Sequence, residues 1–396
     1  MIRHLFKLVW NRKKTNVLIV AEIFCSFVVV FTLVAMGMFM YDKFRDSVGF
    51  DCEGVWEIAV ARNSVNEWGP WSSEEAATFR RLLQTLQSMD GVVAAAGAST
   101  APYMGTIHIT SWEHGNRQIE TELSMVTPEF KDVLGIELVS GRWLREEDSA
   151  LDWTPIVVDE EMARQIAGEA DPVGERVSDD PENDYRVVGV VREYQPNGEF
   201  SEDGSYTFRL AGLDGEGESS LSTIVVKLAP GTRADFEESM VETLQSIAQG
   251  WSFNVKHLES ARESYLKNEL TPLAAMGLVA IFLLLMVVLG LTGVMWQNVT
   301  RRTQEIGLRR ATGAHRARIQ RQIVGEVMVT ASLGLFVGSL LAIQVPLISP
   351  VPVSYGVVLP ALLVSAASIL LLAALCGLYP GWSATRIQPA EALHYQ

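Results

Sequence analysis

Cysteine is nearly absent from this chain. Three are present in 396 residues, Cys25, Cys52 and Cys376. Two fall in apolar runs and one in a polar region, which excludes an intrachain disulfide framework. Histidine is equally sparse, with six residues, no His-Glu-x-x-His string and no cysteine pair, so no zinc signature exists. No glycine-rich string ends in Gly-Lys-Ser or Gly-Lys-Thr, the loop that cradles nucleotide phosphates on a helix N-terminus. Hydroxyls such as Ser99 and Thr100 lack the nucleophile-elbow pattern of acyl chemistry. The expectation is a noncatalytic chain with no cofactor-binding or metal-binding residues; if ATP drives it, a partner binds the ATP and Mg.

Charge is almost missing from four stretches, residues 17–40, 272–296, 327–348 and 357–378, with Glu22 the one charged residue among them. Each is about 20 residues long, the length a helix needs to cross roughly 30 Å of hydrocarbon. Their order is one run, a long acidic gap, then three. The fold class expected is therefore a polytopic α-helical membrane protein, with four spans in a 1+3 arrangement and a large α+β extracytoplasmic domain on a helical stalk.

Basic residues set the expected orientation. Arg3, Lys7, Arg12, Lys13 and Lys14 precede the first run without an acid among them, and seven arginines from Arg301 to Arg321 lie between runs two and three. Both segments should face the cytoplasm, and both termini with them. Residues 1–16 read as an amphipathic entry helix, with Ile2, Leu5, Phe6 and Val9 on one face. The first run is too long for a signal-peptide core and reads as an uncleaved anchor. Residues 41–271 and the short turn 349–356 fall outside; 379–396 form a cytoplasmic tail.

The acidity of the chain, net −15, belongs to the gap: 43 of the 47 acidic residues lie between Tyr41 and Thr271. Such a domain disfavours nucleic acid and anionic lipid as its ligands. Helices are expected over 72–89, with Ser72 or Ser73 as cap, and over 159–167. Strands are expected over 55–60, 107–111, 154–158, 185–191 and 223–228, with acidic loops over 179–184 and 214–220. Some 230 residues leave room for two lobes. Residues 42–47 and 257–270 should extend the flanking runs as stalk helices. Trp56, Trp68, Trp71, Trp112 and Trp153 are candidates for a pocket, although scattered tryptophans more often fill a core.

The cytoplasmic stretch 297–326 holds Glu305-Ile306-Gly307-Leu308-Arg309-Arg310-Ala311-Thr312-Gly313-Ala314. The positive-inside rule accounts for its arginines but not for its glycines. Gly307 and Gly313 permit turns or close approach, and Ile306, Leu308 and Ala311 offer an apolar knob among cations, which suits docking onto another protein.

That string resembles the signature of FtsX-like permease domains in MacB-type ABC transporters. The C-terminal Tyr379-Pro380 through Ala384, Arg386, Pro389 and Glu391-Ala392-Leu393 is similar to the family's closing motif. Val126-Thr127-Pro128-Glu129-Phe130, Leu134-Gly135-Ile136, Ser140-Gly141-Arg142 and Asp171-Pro172-Val173-Gly174 resemble the MacB-like periplasmic core. The resemblance covers nearly the whole chain. It implies a permease in the bacterial inner membrane, paired with a second permease as a homodimer or sibling heterodimer. A separate cytoplasmic ATPase would dock on Glu305, Ile306, Gly307, Leu308, Arg309, Ala311 and Gly313. ATP hydrolysis would move the periplasmic domain, the behaviour called mechanotransmission, for efflux or extraction of an envelope substrate. A periplasmic adaptor, an outer-membrane component and membrane lipids are further implied partners. Resemblance to FtsX itself implies an alternative, a signalling protein that activates an envelope hydrolase without transport.

Three further residues stand out. Pro272, at the start of run two, is a candidate hinge or a first-turn proline. Glu22, the only acid inside run one, is either functional or close enough to the interface to snorkel. Gly334 and Gly338 form a small-xxx-small pair suited to close helix packing.

Overall fold

The computed structural model describes residues 13–62, 71–105, 108–115, 117–178, 184–201, 204–212, 221–232, 235–312, 315–348 and 354–384. Two compact units emerge. One comprises residues 1–42 with 270–396 and holds the apolar helices; the other, the head, spans 43–269.

In chain order the elements are α1 (Lys13–Arg45), β1 (Val55–Ala61), α2 (Ser73–Ser88), β2 (Val92–Ala98), β3 (Ile109–His114), β4 (Arg117–Val126), α3 (Phe130–Leu134), β5 (Leu138–Gly141), β6 (Thr154–Asp159), α4 (Glu160–Ala167), β7 (Tyr185–Val191), β8 (Tyr206–Leu210), β9 (Thr223–Leu228), α5 (Phe236–Ile247), β10 (Ser252–His257), α6 (Leu258–Arg301), α7 (Thr303–Ala311), α8 (Arg316–Ala342), α9 (Val345–Ile348) and α10 (Tyr355–Ala384). Among the described residues four helical stretches are long and apolar enough to cross a membrane: Val17–Arg45, Leu258–Arg301, Arg316–Ile348 and Tyr355–Trp382.

The head is built on one mixed ten-stranded sheet, in the order β10-β1-β9-β2-β4-β8-β6-β7-β5, with β3 paired to β4 as a hairpin. Among the described residues parallel pairing is confined to β4 with β8 and β6 with β7. The strands 55–60, 154–158, 185–191 and 223–228 form within a residue of their expected bounds. The strand expected over 107–111 runs Ile109–His114, and residues 106 and 107 lie outside those described.

The expected two lobes become a single unit whose two strand groups meet at one register pair, Ala98 with Val126. One apolar cluster lies under α2 and α5 on the β1, β2 and β9 side, including Phe79, Leu82, Leu86, Met240 and Leu244. A second lies under α4, with Met162 and Ile166 on Ile156 and Val158. A third, with Phe130, Leu134 and Phe208, draws residues from both strand groups and ties them together.

Helix starts follow side-chain chemistry. Ser72 caps α2 in a reciprocal box with Glu75, and Asp159 caps α4 by accepting from the Met162 amide at 2.8 Å. Of the acidic loops expected over 179–184 and 214–220, residues 179–183 and 214–220 lie outside the described residues. So do the amphipathic stretch of residues 1–12, residues 349–353 of the outer turn and residues 385–396 of the tail.

In the helical unit, α1 packs on α8 through the two glycines singled out above. A Cβ on Gly334 would lie 2.9 Å from Ile23 Cγ2 and from the Val20 carbonyl oxygen, and one on Gly338 would overlap the Phe27 ring. The small-xxx-small pair is thus a seat for Ile23 and Phe27, both fully buried. Glu22 faces the second span: a Cβ on Gly290 would sit 2.6 Å from its Oε2. That is a packed position at α6, not a side chain reaching free for the interface.

Pro272 is fifteen residues into α6, which continues through it to Arg301, so the first-turn reading does not hold.

Candidate coupling site

The stretch between the second and third long helices folds back on itself. α6 ends at Arg301, and α7 follows after Arg302, whose carbonyl accepts from the Ile306 amide at 2.9 Å. Ile306 buries itself against Ile319, with Val299 and Ile323 completing a small cluster that fastens α7 to the first turns of α8. Gly307 lies on the same buried side.

This corrects two expectations. Ile306 is 8% exposed and is occupied by its own helix partner, so it is not part of an offered knob. Gly307 is buried inside a helix and supplies no turn.

The outward face of α7 carries Gln304, Glu305, Leu308 and Arg309, continuing to Thr312. This is the i, i+1, i+4, i+5, i+8 stripe of one helical side. Leu308 is 57% exposed at its centre. Beside it Arg309 Nη2 donates to Glu305 Oε1 at 2.5 Å and Nη1 donates to Gln322 Oε1 at 3.0 Å. The cation is therefore held in one place on an otherwise open surface. Such an exposed i,i+4 pair adds only about 0.3–0.5 kcal/mol to the helix, so its value here is positional. Of the residues expected at the contact, Glu305, Leu308 and Arg309 share the outer face and Ile306 and Gly307 lie beneath. Ala311 closes α7, and Gly313 lies outside the described residues.

Beneath the helix is an ion pair that sequence reasoning did not single out. Arg302 Nη1 donates to Glu326 Oε1 at 3.0 Å, with side chains only 20% and 12% exposed, and Gln322 Nε2 reaches the same oxygen at 3.4 Å. It locks the end of α6 to α8 directly below α7. The available signal was an acid immediately before an apolar run, where an unpaired carboxylate is costly.

The head carries its own concave feature, a groove of about 1270 Å³ lined by Phe44, Phe50, Trp56, Glu199, Arg262 and Leu266 among others. Of the tryptophans considered as pocket residues, Trp56 lines this groove, while Trp71 and Trp112 are core. Trp153 lies under the Arg186 guanidinium at 5.2 Å, and Trp68 is outside the described residues. Among the described residues no group of three or more His, Cys, Asp or Glu is placed to hold a metal ion.

A helical membrane unit, an α+β head between its first and second spans, and a short helix after the second span define a polytopic permease-type protein. Residues 17–243 match the MacB-like periplasmic core domain and residues 277–389 the FtsX-like permease C-terminal domain. The chain belongs to this family of ABC transporter permeases. It is similar to the macrolide export ATP-binding/permease protein MacB of Bdellovibrio bacteriovorus, 26% identical over 297 residues that cover 71% of this chain and 45% of that protein. The protein of the same name from Hahella chejuensis is 23% identical over 410 residues, covering 98% of this chain and 59% of that one. The chain thus spans about half the length of the curated relatives it matches. The solved periplasmic region of MacB from Actinobacillus actinomycetemcomitans aligns with a TM-score of 0.40 at 18% identity, covering 56% of this chain and 97% of that one.

Proposed function

We propose that this chain is the noncatalytic permease subunit of an ATP-driven transporter in the bacterial inner membrane. A separate cytoplasmic ATPase binds ATP and Mg and docks on the outer face of α7. Hydrolysis moves the head by mechanotransmission, for export or extraction of an envelope substrate, and two permeases act as a pair.

The observation that carries this reading is the construction of α7. Its inner face is bolted to α8 by Ile306 and by the Arg302–Glu326 pair, while its outer face presents Leu308 beside a cation held by Glu305 and Gln322. A helix serving only topology has no need of a fixed underside. A rigid seat lets a push on Leu308 reach the long helices α6 and α8 without being absorbed locally.

The test is purification of the tagged chain from native membranes with its bound proteins, comparing wild type with Leu308→Asp and Ile306→Val. An exposed apolar anchor replaced by a carboxylate should weaken the contact by about 2 kcal/mol or more, roughly thirtyfold, with no effect on membrane insertion. Ile306→Val should retain the ATPase. Equal recovery of an ATPase with Leu308→Asp, or no ATPase with wild type even after crosslinking before extraction, would sink the reading.

A further inference from the structure

We infer that Gln195–Ser201 is a rigid joint that fixes the start of α6 and the end of α1 to the sheet of the head, with Glu199, Gly198 and Phe200 as its positioning residues. The inference rests on the mechanotransmission reading for its purpose, but its geometry lies wholly within the head.

On its outer side the segment grips two helices. Glu199 is 2% exposed and accepts from Arg262 Nε of α6 at 2.5 Å. The Phe200 amide donates to Tyr265 Oη at 3.2 Å, and the Phe200 ring stacks on Tyr265 at 6.2 Å and on Phe44 of α1 at 6.5 Å. Gly198 adopts φ +101°, and a Cβ there would overlap the Tyr265 ring. The position thus excludes a side chain twice, by conformation and by space.

On its inner side the same segment is tied to strands and to the turn after α1. The Gln195 amide donates to the Val48 carbonyl at 3.0 Å, and the Pro196 carbonyl accepts from the Tyr103 amide at 2.7 Å. Asn197 Nδ2 donates to both carboxylate oxygens of Glu122 on β4, at 3.2 and 3.0 Å. Tyr194, just before it, is buried edge-on against Tyr206 and Phe208 of β8.

One seven-residue stretch therefore carries outward a charge pair whose carboxylate is buried and whose guanidinium is part-exposed, a backbone-to-phenol hydrogen bond and a three-ring stack, and carries inward amide and carbonyl bonds. A loop meant to flex would leave such groups to water. Two packed faces, fully bonded, make neighbouring elements move as one body. The joint makes the start of α6 a handle on the head, and any bending during a transport cycle must occur elsewhere along the chain.

The experiment measures electron spin distances in the full-length chain with Cys25, Cys52 and Cys376 replaced by alanine and labels at Gln165→Cys on α4 and Ser264→Cys on α6. The labelled chain is diluted with unlabelled chain. Wild type should give one narrow distance, Gly198→Val and Glu199→Ala should broaden it, and Arg262→Lys should largely preserve it. A second pair inside the head, Gln84→Cys with Gln165→Cys, should stay narrow in every variant. A broad or two-peaked wild-type distribution, unchanged variants, or broadening of both pairs together would each overturn the joint. With a partner ATPase bound, nucleotide should leave the Gln165–Ser264 distance unchanged; a shift would make the segment a hinge. If no ATPase binds, the proposed function fails, and the nucleotide-free comparison still decides the joint.

Discussion

Asp159 shows how much one side chain carries in the head. It is fully buried at the end of β6, where Oδ1 caps α4. Burial pushes its carboxyl up to about 7, partly opposed by amides of Met162 and Tyr206. In the unfolded chain the same group titrates near 3.8, so the folded head binds one more proton than the unfolded chain between those values. Its contribution to stability is therefore complete at low pH, declines as pH rises toward about 7 and is flat above. Asp159→Asn keeps the capping oxygen and removes the titration. It should flatten that decline and leave the variant more stable than wild type at pH 8 by about 2–4 kcal/mol. Melting the detergent-solubilised chain at pH 5 and pH 8 checks this; an identical pH dependence in both proteins would contradict it. The helix over 159–167 was legible in the sequence, but the role of Asp159 as its cap was not singled out, and its burial was not legible because strands remote in sequence supply it.

Elements were legible where one physical signal dominated. The long helices announce themselves by length and lack of charge, and α2 by the Ser72–Glu75 box. Strand β2 was not legible: Val92–Ala98 is mostly alanine and glycine, a composition that argues against strand. It forms because small residues are what the site requires, since a Cβ on Gly97 would lie 2.7 Å from Phe79 Cε1 of α2. Ile306 was misread for a related reason, as its partner Ile319 lies on the next helix. The seat of α1 on α8 was half legible, from the spacing of Gly334 and Gly338 but not from the identity of Ile23 and Phe27 above them. Gly338→Leu should force the Phe27 ring aside, lowering stability by about 1–3 kcal/mol, whereas Gly277→Leu, with nothing within 4 Å of its Cβ position, should be neutral. Thermal unfolding in detergent distinguishes the two; equal effects would mean that α1 does not pack there.

At the scale of the molecule, α1 and α6 each begin in one compact unit and end in the other, so the chain connects membrane and head twice by uninterrupted helix. The proposed ATP-driven lever rests on that continuity, with a bolted α7 at one end and a gripped α6 at the other. Division into four apolar runs and an acidic head was readable from composition alone, and the permease signatures named the family. The ion pairs that fasten these helices were not readable, because Arg302–Glu326 and Glu199–Arg262 join residues 24 and 63 positions apart. The most direct measurement places one spin label at Gln165→Cys on the head of each copy in the purified complex with its ATPase in nanodiscs. The distance between copies is then compared without nucleotide and with vanadate-trapped nucleotide. ATP-driven movement of the head predicts a shift between the two states that is abolished by Leu308→Asp; an unchanged distance in an actively hydrolysing complex would contradict the account.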